Sequence, residues 1–75
     1  MKTLDEFVSL FADLFDETDR SEFSSQTVFH DLDEWSSLMV LNLIAMTDEE
    51  FNRPLKDAEI KNAKTIEDLY NIIKA

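Results

Sequence analysis

The sequence predicts an all-α protein, a bundle of four helices of which three are long and one is short, with a long loop between helices one and two. Apolar residues recur at helical spacing, no segment shows the sustained alternation of a strand, and residues typical of helix starts precede two of the apolar stretches. The 75 residues are enough for one domain, residues 1–75.

The first helix is predicted over Thr3 to Phe15. Its apolar residues follow the spacing of a single buried stripe: Leu4, Phe7, Val8, Phe11, Leu14 and Phe15. Thr3 and Glu6 fit a capping box at its start. Residues 16–26 are polar and predict a loop, and the apolar side chains within residues 27–33 are expected to hold that loop on the core.

The second helix is predicted over Ser36 to Phe51, with Ser36 or Ser37 as its N-cap. Within residues 38–46 only Asn42 is polar, which is more apolar than a single buried stripe requires. A small domain has little interior in which to surround a helix, so part of this surface is expected to be covered by a partner. We expect the exposed side to include Met39, Asn42, Leu43 and Met46, and the core side to contain Leu38, Leu41, Ile44 and Phe51.

The last third of the chain predicts a turn and two further helices. Residues 52–54 end the second helix, and Asp57 to Ile60 is expected to form one short helical turn. Thr65, with Asp68 three residues later, opens the final helix. The apolar stripe of that helix consists of Ile66, Leu69, Tyr70 and Ile73.

Composition excludes several classes of function. The net charge is −10, and residues 1–50 hold 13 acids against 2 bases, so nucleic acid and anionic membranes are unfavourable partners and a basic protein surface is favoured. Without cysteine there is no disulfide or thiolate zinc site, and without glycine there is no nucleotide-binding loop. No segment has the length of a membrane span, and no signal peptide is recognisable, so we expect a cytoplasmic protein. The high negative charge on a small bundle favours a monomer.

Ser37-Leu38, the apolar helix that follows and its ending Asp48-Glu49-Glu50-Phe51 together resemble the acyl carrier protein family. Residues 64–69 are similar to the start of that family's final helix, and the resemblance covers essentially the whole chain. It implies that Ser37 carries 4'-phosphopantetheine, on which acyl groups are held as thioesters and presented to biosynthetic enzymes. Ser36 fits less well, because the family has leucine directly after the modified serine. A carrier of this kind catalyses nothing itself.

The resemblance also implies partners, namely a phosphopantetheinyl transferase and acyl-handling enzymes with basic patches. These would meet the acidic residues Asp48, Glu49 and Glu50, together with the expected exposed side of the second helix. Two positions depart from the family pattern. Ser36 replaces an aspartate that assists the transferase, and Glu34 and Trp35 stand where a glycine is usual.

Other functions remain open at this point. The main alternative is a helical protein-interaction module, or a carrier-like domain that is not phosphopantetheinylated. An EF-hand beginning at Asp31 fails, because Ser36 stands where its glycine belongs and Asn42 where its bidentate glutamate belongs. The hypothesis of a hydrolase has little support, because the chain has a single histidine to act as a general base. We expect that histidine, His30, to be exposed or to cap a helix, and Trp35 to anchor the loop.

Overall fold

The computed structural model describes residues 2–75, and within them it contains four α-helices. These are α1 (Leu4–Asp13), α2 (Ser37–Phe51), α3 (Asp57–Asn62) and α4 (Ile66–Lys74). The same residues contain no strand, only an isolated bridge between Val28 and Thr65. The predicted all-α class, with three longer helices and one short helix, is therefore confirmed.

Helix α1 starts as predicted and ends two residues early. The Thr3 hydroxyl accepts the Glu6 N–H at 3.2 Å, and the Glu6 carboxylate accepts the Thr3 N–H at 2.8 Å, which completes the predicted capping box. The helix ends at Asp13, and Leu14 is its C-cap. Phe7, Phe11 and Ala12 are buried along its inner face, and Phe15 continues that face beyond the last turn.

Residues 14–36 connect α1 to α2 and contain two short 3₁₀ turns, Arg20–Glu22 and Phe29–Asp31. This segment is fastened to the start of α4. The Ile66 N–H donates to the Thr27 carbonyl at 3.2 Å, and the Glu67 N–H donates to the Ser25 carbonyl at 2.9 Å. The connection thereby satisfies backbone donors that the first turn of a helix leaves without an intrahelical partner.

Helix α2 is the longest helix, and its C-terminal end is tied to the following turn. Asn52 caps it in the left-handed conformation, with φ 56°. The side chain of Thr47 is fully buried, and its hydroxyl lies 3.1 Å from the Leu43 carbonyl and 3.0 Å from the Ile44 carbonyl. The same hydroxyl oxygen accepts the Leu55 N–H at 3.0 Å, so it joins α2 to the chain that leads into α3.

The core is one cluster to which all four α-helices and the connecting segments contribute. Helix α1 packs against α4, and α3 packs against both α2 and α4. The fully buried large side chains are Phe7, Phe11, Phe29, Leu43, Leu55, Ile60, Ile66 and Leu69, with Thr47 as their polar member. Thr65 and Asp68 form the predicted capping box of α4. Among residues 2–75, none of the helices is long and apolar enough to cross a bilayer.

Candidate functional site

Ser37 is the first residue of α2 and is exposed to solvent. Ser36, also exposed, is the N-cap, with extended backbone angles (φ −159°, ψ 175°). The Ser36 hydroxyl makes no capping hydrogen bond, although a serine at this position often accepts one from the first turn. The N–H groups of the first turn therefore lack a side-chain acceptor, and the positive end of the helix dipole lies beside the two hydroxyls.

An open groove of about 570 Å³ lies beside Ser37, between α2 and α3. Its α2 side is lined by Ser37, Val40 and Leu41, and its α3 side is lined by Asp57, Ile60 and Lys61. Asp57 and Lys61 form an ion pair at 3.1 Å in which both side chains are largely exposed, so the pair adds charge to the rim and little stability. The groove thus combines apolar walls, a charged rim and a free hydroxyl.

His30 and Trp35 line the same groove from the segment that precedes α2. The Nε2 of His30 lies 3.2 Å from the Ile60 carbonyl oxygen and 3.1 Å from the Ala63 carbonyl oxygen. Since carbonyl oxygens only accept, these contacts assign the imidazole proton to Nε2, and His30 caps the C-terminal end of α3. The Trp35 ring stacks on the Phe11 ring of α1, with centroids 6.4 Å apart, which confirms that Trp35 anchors the segment.

The structure corrects the predicted faces of α2. Met39, Leu43 and Met46, expected at the surface, are buried in the core. Leu38 and Leu41, expected in the core, are 62% and 64% exposed. Asn42 is half-buried, as are Ile44 and Phe51, the two remaining predicted core residues, which pack at the edge of the core.

The buried and exposed faces of α2 were predicted wrongly for a physical reason, although the sequence contains a signal that distinguishes them. Because apolar residues occupy both sides of α2, their spacing does not distinguish the buried side from the exposed one. A charged side chain does make that distinction, since it is seldom buried without a partner. Counting back from Asp48 in steps of three, four and three residues gives Ala45, Leu41 and Leu38, and all four are exposed. The sequence contains no comparable signal that Thr47 is buried.

The acidic residues at the end of α2, Asp48, Glu49 and Glu50, are all exposed. The Glu50 carboxylate lies 3.6 Å from the Lys2 ammonium, a half-exposed pair of small energetic value. Because acids are unfavourable at the negative end of a helix dipole, helix stability does not account for this cluster. Asp48 and Glu49 continue the exposed face of Leu38, Leu41 and Ala45, and these five residues form one surface, which we call the α2 outer surface. Glu50 lies on the side of α2 that faces Lys2.

Glu34, which stands near the position where a glycine was expected, has a structural role away from Ser37. Its carboxylate accepts hydrogen bonds from the Thr18 hydroxyl at 2.6 Å and the Glu17 N–H at 2.9 Å. These bonds, the Thr18 hydroxyl first, lower the pKa of Glu34. In α3, the bidentate Arg53 guanidinium and the Lys56 N–H lower the pKa of Glu59 to about 2.

Comparisons with known proteins give no assignment: no family model, curated protein or solved structure matches this chain. Within residues 2–75, no cluster of three or more histidine and acidic side chains is arranged to hold a metal ion. The functional conclusion therefore depends on the chain's own residues and their geometry.

Proposed function

We propose that the chain is an acyl carrier protein with 4'-phosphopantetheine attached to Ser37. The observation that carries the proposal is an exposed serine hydroxyl at the first position of a 15-residue helix, at the rim of an open groove. The resemblance of residues 37–51 and 64–69 to that family supports it independently. The protein would act by presentation and catalyse nothing itself.

The residues around Ser37 fit such a group. A phosphodiester at Ser37 would lie at a helix N-terminus, where free N–H groups and the dipole favour negative charge. Attachment requires the Ser37 hydroxyl oxygen to bond to the pantetheine-bearing phosphorus of coenzyme A. The adenosine bisphosphate portion then leaves, and the hydroxyl proton passes to the transferase. When bound, the group supplies a thiol for thioester formation, which this cysteine-free chain lacks.

The α2 outer surface is the proposed docking site for the transferase and for acyl-handling enzymes. Leu38 and Leu41 offer exposed apolar anchors beside the serine, and the acids at the end of α2 match a partner with basic patches. This replaces the expected strip of Met39, Leu43 and Met46, whose side chains are buried. A cytoplasmic monomer is part of the same proposal.

The test is the intact mass of the protein after incubation with a phosphopantetheinyl transferase, coenzyme A and magnesium. We expect the mass of one phosphopantetheine to be added. Ser37→Ala should abolish the addition and Ser36→Ala should preserve it, a matched pair because both residues are exposed serines at the same helix start. Addition that survives Ser37→Ala but not Ser36→Ala would reassign the site to Ser36.

Ser36→Asp tests the departure from the family pattern. It adds a side chain suited to both N-capping and the transferase, so we expect faster modification and a slightly more stable α2. If neither the parent nor Ser36→Asp is modified by any transferase tested, the carrier proposal is wrong. The exposed Leu38 and Leu41 would then favour the alternative, a protein-interaction module without a prosthetic group.

A further inference from the structure

Helix α2 has an unfavourable charge arrangement at both of its ends. The other three helices of residues 2–75 all carry acidic residues in the first turn, and α1 and α4 add capping boxes. The first turn of α2 has no acidic residue and no side-chain cap. Its last turn contains Asp48 and Glu49 and no basic residue. Because the helix dipole is positive at the N-terminal end and negative at the C-terminal end, neither end of α2 is matched within one copy of the chain.

The exposed face between these two ends has the spacing of a contact between helices. Leu38, Leu41, Ala45 and Asp48 follow one another at intervals of three, four and three residues, which is the spacing of the residues that one helix presents to another in a coiled coil. Leu38 and Leu41 are the exposed large apolar side chains of the described residues. The α2 outer surface therefore has the pattern of a helix contact, and no other part of residues 2–75 covers it.

A second copy of α2, packed antiparallel, matches both ends at once. A two-fold axis opposite the middle of the helix gives both copies the same contact surface. Asp48 of each copy then lies beside Ser37 and the free N–H groups of the other copy's first turn. In the same arrangement the two Leu41 side chains meet near the axis, and Leu38 packs on the smaller Ala45 of the other copy. A parallel pair would instead bring the acidic ends together.

We propose that two copies of this chain pair reversibly through their α2 outer surfaces, with the two helices antiparallel. The contact runs from Leu38 to Glu49, a length of about 17 Å along one helix, so it is smaller than the roughly 800 Å² per partner of a stable interface. The net charge of −10 on each copy also opposes association. The chain is therefore a monomer in dilute solution, and pairs form when it is concentrated.

Pairing covers the residues that the proposed function needs to be accessible. Leu38 and Leu41 are the proposed anchors for the transferase, and Ser37 lies at the edge of the same contact. A phosphodiester at Ser37 would meet Asp48 of the other copy, and like charges repel. Pairing and phosphopantetheine attachment thus exclude each other, and the paired form holds the chain unmodified. This consequence rests on the proposed function, whereas pairing itself does not.

Sedimentation equilibrium of the unmodified chain tests whether pairs form. At about 1 mM protein we expect the mean mass to rise towards that of two chains, and at about 20 μM we expect one chain. The dissociation constant should fall several-fold between about 0.05 and 0.5 M NaCl, because salt screens the repulsion between the two acidic copies. Docking of a basic protein on this surface has the opposite salt dependence. Sedimentation as one chain at about 1 mM in both salts would overturn the proposal.

Two substitutions that change the net charge equally test the contact at the helix ends. Asp48 and Asp16 are both exposed, and Asp16 lies in the connection between α1 and α2. Asp48→Asn removes the contact with the other copy's N-terminal end twice in each dimer, so the dissociation constant should rise about three- to thirtyfold. Asp16→Asn only reduces the repulsion and should not raise it. Equal changes in both variants would mean that α2 does not pair in this way.

Leu41→Ser tests the apolar centre of the contact. It should raise the dissociation constant about tenfold or more, because both copies lose the side chain nearest the axis. The Leu41 side chain is 64% exposed, so the substitution leaves the core of each copy intact. A dimer of unchanged affinity would use another surface and would contradict the proposal.

Disulfide formation tests the orientation, since the chain has no cysteine of its own. In the antiparallel pair, Ser37→Cys in one copy lies beside Asp48→Cys in the other, whereas two identical cysteines lie about 15–18 Å apart along the helices, too far for a disulfide. Oxidised glutathione takes up the hydrogens of the two thiols as the disulfide forms. In an equimolar mixture of the two variants we expect the mixed disulfide to predominate by intact mass.

A statistical mixture of the three disulfides, or an excess of the two symmetric ones, would overturn the antiparallel arrangement. Neither sedimentation nor disulfide formation involves phosphopantetheine. Failure of the proposed attachment is detected separately, by intact mass after incubation with the transferase.

Discussion

The two faces of α2 have similar composition and opposite surroundings. Met39, Leu43 and Met46 are buried against the aromatic core, whereas Leu38 and Leu41 project into solvent less than one helical turn away. Transfer of apolar surface out of water stabilises the fold only where the other helices cover it. The exposed leucines gain nothing of that kind. Their exposure fits the docking role proposed for them, and the difference between the faces is measurable.

The largest expected effect separates the faces directly. Leu43→Ala should lower the free energy of unfolding by about 3–5 kcal/mol, because it removes a fully buried side chain and leaves a cavity. Leu41→Ala deletes the same atoms from the exposed face and should change the free energy by about 0.5 kcal/mol or less. Urea unfolding followed by circular dichroism measures both. Equal losses would mean that the two faces are not distinguished in solution.

The next effect concerns the polar member of the buried face. Thr47→Val keeps the shape and leaves the buried Leu55 N–H without its acceptor, which should cost about 1–3 kcal/mol. Thr47→Ser retains the hydroxyl and loses only a methyl group. Amide hydrogen exchange at Leu55 should therefore accelerate in Thr47→Val beyond the change caused by Thr47→Ser. The opposite order would show that packing of the methyl group, and not the hydrogen bond, holds this turn.

A smaller effect depends on pH and concerns the turn after α2. The pKa of Glu59 is lowered to about 2 by its bonds to Arg53 and the Lys56 N–H, so this carboxylate stabilises the folded state above its unfolded pKa. That contribution is lost as pH falls from about 4.5 towards 2. The stability gap between the parent and Glu59→Gln should shrink over this range in thermal melts, and Arg53→Gln should reduce the gap. If the stability difference between the parent and Glu59→Gln does not change with pH, the Arg53–Glu59 ion pair is not its source.

The smallest effect on stability belongs to the exposed leucines. Leu38→Ser with Leu41→Ser should change the free energy of unfolding by about 0.5 kcal/mol or less and lower the rate of phosphopantetheine transfer about tenfold. Replacing both leucines by methionine keeps the apolar surface and should keep the rate. The α2 outer surface is not the docking site if the serine pair leaves the transfer rate unchanged.

The sequence was informative wherever polar and apolar residues contrast. In α1 and α4, capping boxes at Thr3 and Thr65 precede well-spaced stripes, and both helices begin where predicted. In α2 the start and end were predictable, but the faces were not, because burial there depends on which neighbours pack against the helix. Local sequence placed the start of α2 at Ser36 or Ser37, and only the family resemblance singled out Ser37, which is the first residue of the helix.

The groove itself was not predictable from the chain. Its walls come from residues 30–41 and 57–61, and only tertiary contacts bring these segments together. The hydrogen bonds of His30 to carbonyls 30 and 33 residues away carry no local sequence signal. The anchoring role of Trp35 followed from its size and position, but its place in the groove floor depends on α3.

Trp35 is also the only tryptophan of the chain. Its indole contacts the core phenylalanines and also lines the groove, so the fluorescence of one residue depends on both the core and the groove. Unfolding exposes it to water and shifts its emission to the red, whereas a group that enters the groove changes emission while the protein stays folded. The fold thus provides a native optical probe beside Ser37, and the proposed attachment of a group there can be followed in real time without labelling.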